Sequence, residues 1–181
     1  MREKSPSQAR LGRINPRRIL VPVDFSDSSA RALRHATKRA AESRGSLIIV
    51  HVVPADYGWS GIGRNELRDL DRSLQRQAAD RLRAFAEENV GDDVAADLEI
   101  RVGQPAEQII AAAHDSKCDS ITLSTRGLTG LDRYLIGSVA HRVAQLAPCA
   151  VVLLRPGKRA PGRGQKPPGV LRFKHKGKAE R

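Results

Sequence analysis

Residues 19–26 read ILVPVDFS. Five residues from Ile19 to Val23 run without a polar interruption, bounded by Arg17-Arg18 before and by Asp24-Phe25-Ser26 after. An aliphatic run of this length without alternation reads as a short strand buried on both faces, the habit of a parallel sheet. Ser26 is placed to cap a following helix, because its hydroxyl can accept from an amide of the first turn. The inward face of that helix is then Ala30, Leu33, Ala36, Thr37 and Ala40, with Gly45 as the stop.

The same alternation continues along the chain. Leu47–Val53 (LIIVHVV) reads as a second strand, and a glycine-rich loop from Pro54 to Arg64 leads into a long helix. Its apolar positions Leu67, Leu70, Leu74, Ala78, Leu82 and Phe85 keep the helical period. Ala95–Val102 is a third strand, with Leu98, Ile100 and Val102 alternating, and Pro105 suits the first position of a helix that carries Ile109, Ile110 and Ala113 inward. Ser120–Ser124 is a fourth strand. A long loop from Thr125 to Ile136 follows it, then a short helix over Val139–Ala147 stopped by Pro148, and Ala150–Leu154 (AVVLL) forms a fifth strand. Strands alternating with helices through right-handed crossovers predict a single α/β domain with a doubly wound, five-stranded parallel sheet. The arrangement expected is Rossmann-like, with the strand order 3-2-1-4-5. Sheets of this kind bind ligands at the carboxyl ends of their strands, where the winding reverses.

The chain has 181 residues and a net charge of +12, but that charge is not spread evenly. Met1–Arg18 carries +5 and Lys158–Arg181 carries +8, which leaves −1 for everything between them. The reading is therefore a basic N-terminal extension (1–17), a nearly neutral domain (18–156), and a basic tail (157–181). The tail's Pro, Gly, Lys and Arg cannot bury enough apolar surface to offset chain entropy, so it is expected to be disordered. Two readings of the basic ends stay open: solubilising extensions, or weak electrostatic contact with nucleic acid or another anionic surface.

Aromatic residues make up 3% of the chain, so stacking of nucleic-acid bases is not expected. Cys118 and Cys149 match no metal-ligand spacing and are too few to staple a secreted domain, which points to reduced thiols in a cytoplasmic protein. No apolar stretch approaches the roughly 18 residues that a membrane helix requires. The patterns of a Walker phosphate loop, a strand-linked Gly-x-Gly-x-x-Gly, a Gly-x-Ser-x-Gly elbow and a His-Glu-x-x-His zinc helix are all missing.

The segment that carries chemistry is Ser124-Thr125-Arg126-Gly127-Leu128-Thr129-Gly130, followed by Leu131–Ile136 and then Gly137-Ser138 at the start of a helix. A strand end, a glycine-bearing loop and a helix N-terminus occur together. Gly127 would let backbone amides approach an anion closely, and Gly137-Ser138 would set free amides and a hydroxyl at the positive end of a helix dipole. That is a phosphate site in outline. The alternative is that Gly137-Ser138 only turns the chain and caps the helix.

The spacing resembles the nucleotide signature of the universal stress protein family: Gly, two residues, Gly, nine residues, Gly, then Ser or Thr. Here it reads Ser124-xx-Gly127-(nine)-Gly137-Ser138, with Ser124 in place of the first glycine. The likeness extends through ILVPVDFSDSSARAL, IIVHVV, GQPAEQI and VAHRVAQLAPCAVVLLR, roughly Arg17 to Arg155. It implies an ATP-binding or related adenine-nucleotide-binding regulator of stress responses, with ATP as ligand, alone or with magnesium. The residues it implies for the ligand are Pro22, Asp24, Val52, Ser124, Arg126, Gly127, Gly130, Gly137, Ser138 and Val139.

A carboxylate repels phosphate, so Asp24 would accept from ribose hydroxyls or hold a divalent cation shared with the phosphates; it could equally cap the Ser26 helix. Val52 falls where the family's second strand meets adenine, and His51 reads as an ordinary strand residue. The resemblance also implies a homodimer paired through Ala150–Leu154, which would cover an apolar edge. With no evident general base aimed at a γ-phosphate, any hydrolysis is expected to be slow, and the nucleotide would chiefly set conformation. A regulator of the same fold that acts through protein contacts without nucleotide, or a slow ATPase, are the other readings.

Overall fold

The computed structural model describes residues 16–54, 64–125, 136–155 and 171–173. In chain order the elements are β1 (Arg18–Pro22), α1 (Asp27–Ser43), β2 (Ser46–Val53), α2 (Arg64–Asn89), β3 (Ala95–Val102), α3 (Pro105–Ser116), β4 (Ser120–Ser124), α4 (Ser138–Leu146), β5 (Ala150–Leu154) and β6 (Leu171–Phe173). The sheet order is β5-β4-β1-β2-β3-β6, and every pairing is parallel. The first five strands thus stand in the expected order 3-2-1-4-5.

Each central strand feeds two cores, because successive side chains point to opposite faces. Ile19, Val21 and Val23 pack with Leu33, Ala36 and Ala40 of α1 and with Leu82 and Ala86 of α2. Leu20 packs on the other side with Ile109, Ala112 and Ala113 of α3 and with Ala140 and Val143 of α4. Ile49 and Leu47 join the first core, and Ile48 and Val50 the second. Along α3 the buried positions are Ala106, Ile109, Ala112 and Ala113, while Ile110 is only half-buried. The expectation that Ile110 faces inward is corrected: the buried stripe runs 106, 109, 112 and 113, and position 110 lies one step round the helix from it.

The amino ends of β1 and β4 are tied by one carboxylate. Asp119 Oδ2 accepts from the amides of Arg17 and Arg18, each at 2.7 Å, and the Asp119 amide donates to the Arg18 carbonyl at 2.9 Å. This fixes the register in which β4 joins β1.

The tail departs from expectation at three residues. Leu171–Phe173 forms β6 against Ala96, Asp97 and Leu98 of β3, so disorder does not hold there. Leu171 and Phe173 belong to the one apolar cluster in the tail, Val170-Leu171-Arg172-Phe173, and β3 would otherwise present unpaired backbone groups at that edge. The rest of 157–181 lies outside the described residues.

The end of α1 places its glycine unexpectedly. Arg44 takes the left-handed conformation (φ 52°), and the Gly45 amide donates back to the Ala40 carbonyl at 2.8 Å. Gly45 is needed for space: a Cβ there would lie 2.7 Å from the Arg17 carbonyl oxygen and 2.9 Å from the Arg17 Cα. Two substitutions separate these demands. Gly45→Ala should cost about 1–3 kcal/mol, because backbone must move to admit a methyl. Arg44→Gly should be neutral or stabilising by up to about 1 kcal/mol, because glycine adopts positive φ without strain. Chemical denaturation of both variants checks the pair of signs.

Candidate functional site

β1 lies between β2 and β4, and the chain winds outward from it in both directions. A crevice forms where the windings diverge, at the carboxyl ends of these strands. The cavity there encloses about 380 Å³ and is lined from β1, α1, β2, β4, α2, α3 and the start of α4. Its apolar lining comes from Pro22, Val50, Val52, Ile109, Leu123 and Val139. Its polar lining comes from Asp24, Ser29, His51, Arg81, Ser124, Thr125 and Ser138, with the backbone of Gly137. A mostly apolar slot with a few convergent polar groups is the usual form of a small-molecule site.

The turn after β1 sets the first wall. Phe25 has φ 64°, a region an aromatic residue enters rarely and at a cost in strain. The turn brings Asp24 Oδ1 within 3.1 Å of the Ser26 amide and 2.6 Å of the Ser26 hydroxyl. Ser26 Oγ in turn accepts from the Ser29 amide at 3.1 Å and so caps α1. Asp24 therefore does support the cap of the α1 helix, and it lines the cavity as well.

Phe25 organises the neighbouring wall. Its ring lies 4.2 Å from the His51 ring and 5.5 Å, edge on, from Phe85. The Arg81 guanidinium carbon sits 4.2 Å from the Phe25 ring centroid, a cation–π contact that brings a positive charge to the cavity. His51 Nδ1–H donates to the Val23 carbonyl at 2.8 Å, which leaves Nε2 as the acceptor of the neutral ring. Burial pushes the His51 pKa below the usual imidazole value and Arg81 adds to this, while the Val23 hydrogen bond and Asp24 oppose it.

The third wall is the N-terminus of α4. Gly137 is its N-cap and supplies no side-chain cap; its own amide donates to the Thr125 carbonyl at 2.9 Å. The Thr125 amide is held by the Leu154 carbonyl at 2.9 Å, so the end of β5 braces the start of α4. The first intrahelical bond at this end runs from the His141 amide to the Gly137 carbonyl. The amides of Ser138, Val139 and Ala140 therefore have no partner within the helix, and the first turn carries no acid. This is the positive end of a helix dipole set against a cavity that an anion could enter.

Seven residues expected at the ligand, Pro22, Asp24, Val52, Ser124, Gly137, Ser138 and Val139, line this one cavity. The other three, Arg126, Gly127 and Gly130, lie outside the described residues. Phe25, Ser29, His51 and Arg81 line it too and went unremarked as site residues in the sequence. His51 is a strand residue as expected, but its position at the carboxyl end of β2 was the signal that it borders the crevice. Among the described residues no group of three or more His, Cys, Asp or Glu side chains could hold a metal ion.

The model of the universal stress protein family matches residues 15–155. Over 151 residues the chain is 32% identical to universal stress protein MJ0531 of Methanocaldococcus jannaschii, a match that covers 79% of this chain and 84% of that one. Among solved structures, universal stress protein UspA from Lactobacillus plantarum is similar with a TM-score of 0.62 at 27% identity, covering 76% of this chain and 97% of that one. A universal stress protein in complex with cAMP gives a TM-score of 0.51 at 26% identity, covering 77% and 97%.

The His51 environment predicts a pH dependence of stability. A ring whose folded pKa lies below its unfolded value of about 6.5 binds its proton more readily when unfolded, so its contribution is complete above that pH. The contribution is lost as pH falls through about 6.5 toward the folded pKa. His51→Asn keeps a donor for the Val23 carbonyl and removes the titration. Its loss of Tm between pH 7.5 and 5.5 should be smaller than that of the unsubstituted chain, measured by calorimetry; an equal loss would show that His51 does not govern the slope.

Proposed function

The chain belongs to the universal stress protein family, and on that footing we propose that it binds ATP or a related adenine nucleotide in the crevice beside β1, as a regulator of stress responses. The observation that carries this reading is the uncapped N-terminus of α4 opening onto a cavity of about 380 Å³ with an apolar slot beside it. An adenine nucleotide needs both, a flat apolar space for the base and backbone donors for phosphate. The related structure in complex with cAMP supports the same class of ligand.

In this reading the base lies toward Val52 and Pro22, while Gly137, Ser138 and Val139 face the phosphates. The family signature assigns Arg126, Gly127 and Gly130 to the same ligand. Asp24 accepts from ribose hydroxyls or shares a magnesium ion with the phosphates. Ser124 stands where the family signature has glycine, and that favours a second reading in which the crevice no longer admits phosphate and the protein acts through contacts with other proteins.

Ser138→Asp distinguishes the two. A carboxylate at the first position of α4 suits the helix dipole, so Tm should hold or rise slightly, yet it repels phosphate. Calorimetry should show ATP binding weakened at least about tenfold, with adenosine affected far less. No binding of ATP at millimolar concentration by the unsubstituted chain would leave the protein-contact reading.

We also propose that the protein works in the cytoplasm as a homodimer paired through β5. No helix among the described residues is long and apolar enough to cross a membrane. All five residues of β5 remain partly exposed on an outer strand, and Leu146 beside it is 56% exposed. Val152→Lys places a charge in that edge and should convert a dimer to a monomer in sedimentation velocity while leaving the far-UV spectrum unchanged. A monomer before substitution would remove the dimer.

A further inference from the structure

Cys118 and Cys149, 31 positions apart in the chain, place their Sγ atoms 3.5 Å from one another. Cys118 follows the left-handed Lys117 that ends α3, and its amide returns to the Ala113 carbonyl at 3.2 Å. Cys149 lies between Pro148 and the first residue of β5. Ser120 and Ala150 are register partners, so the two thiols stand together at the amino ends of neighbouring strands. The nucleotide crevice lies at the opposite, carboxyl ends.

We propose that Cys118 and Cys149 form a modification site, a dithiol that a small-molecule disulfide such as oxidised glutathione converts to an internal disulfide joining β4 to β5.

The geometry asks little of the backbone. Sulfur atoms 3.5 Å apart must close by about 1.5 Å to reach bonding distance, which is about 2.05 Å. Cys149 precedes the β4–β5 ladder, which begins at Ala150, so the shift breaks no strand pairing. The two thiols also differ in access: Cys118 is buried and Cys149 is partly exposed.

That difference orders the chemistry. The Cys149 sulfur, as thiolate, attacks oxidised glutathione, forming a mixed disulfide and releasing one glutathione thiol. The Cys118 sulfur then attacks the Cys149 sulfur, expelling the second glutathione thiol. Two protein thiols are oxidised, one glutathione disulfide is reduced, and the chain becomes two hydrogens lighter. Burial pushes the Cys118 pKa up to about 12, with the neighbouring Cys149 and then Asp119 adding to it, and burial also raises that of Cys149 against the opposing hydrogen bond from Cys118. Few thiolates exist at neutral pH, so this exchange is slow and the pair is governed by equilibrium with the thiol pool rather than by fast capture of an oxidant.

The test measures that equilibrium from both directions. Reduced chain, and chain oxidised beforehand, are held in glutathione buffers of graded ratio until the two agree. They are then quenched, alkylated and weighed intact, with a parallel series in urea sufficient to unfold the chain. The folded protein should form the internal bond in buffers at least roughly tenfold more reducing than the unfolded chain requires, because the fold holds the thiols together. Peptide mapping should link Cys118 to Cys149, and Tm should rise by roughly 5 °C or more on oxidation. Cys118→Ala, which suits a buried site, should show a glutathione adduct on Cys149 or no change, never the lighter mass. The proposal is overturned if folded and unfolded chains pair equally readily, if glutathione adducts replace the internal bond, or if the link proves to be between chains.

Discussion

Burial of β1 on both of its faces is the constraint from which the rest of the molecule follows. A strand with Ile19, Val21 and Val23 in one core and Leu20 in the other cannot sit at a solvated surface, so helices must cover both sides of the sheet. Right-handed crossovers put α1 and α2 on one side and α3 and α4 on the other only if the chain changes its direction of winding, and it does so between β1 and β4. The crevice is the space this reversal leaves. The site is thus a consequence of satisfying an aliphatic pentapeptide, with its chemistry added by the turns that leave the strands.

Asp24 shows how closely fold and site are joined. Its carboxylate holds Ser26, Ser26 holds the first turn of α1, and the same residue borders the cavity. Removing the side chain would therefore disturb a helix start as well as a ligand wall, so loss of function there would say little by itself. Ser138 is the more informative position, because the N-cap of its helix is Gly137, which has no side chain to cap with.

The first five strands and all four helices were legible because they rest on runs and periods within short windows: ILVPV, LIIVHVV, and the three-and-four spacing of α1 and α2. The sheet order has no such local signal and followed from the habit of doubly wound sheets. The site was legible in part for a similar reason. Gly137 and Ser138 are neighbours, and Asp24 and Ser124 end strands. Phe25 and Arg81 were not legible, since nothing local marks a phenylalanine for positive φ, and Arg81 reaches the cavity only because α2 packs where it does. Gly45 misled for a physical reason: a glycine after a helix suggests positive φ, whereas here it is Arg44 that turns and the glycine that makes room for Arg17. The nearness of Cys118 to Cys149 depends on the β4–β5 register and has no signal in their spacing.

β6 has a consequence for assembly. A parallel sheet with two open sides has a valence of two, and copies that join by strand addition can in principle extend without limit. Here Leu171–Phe173 covers Ala96–Leu98 of β3, and just beyond them Glu99 and Arg101 are paired with each other at 2.7 Å, Arg101 also meeting Asp115 at 2.9 Å. An outer strand of three residues, next to charges already matched, offers a poor template to an incoming strand. With that side blunted, β5 is the longer of the two outer strands and the better template for strand addition. Pairing there, as in the proposed dimer, would use that edge in both copies and leave the three-residue β6 as the outer strand on either side.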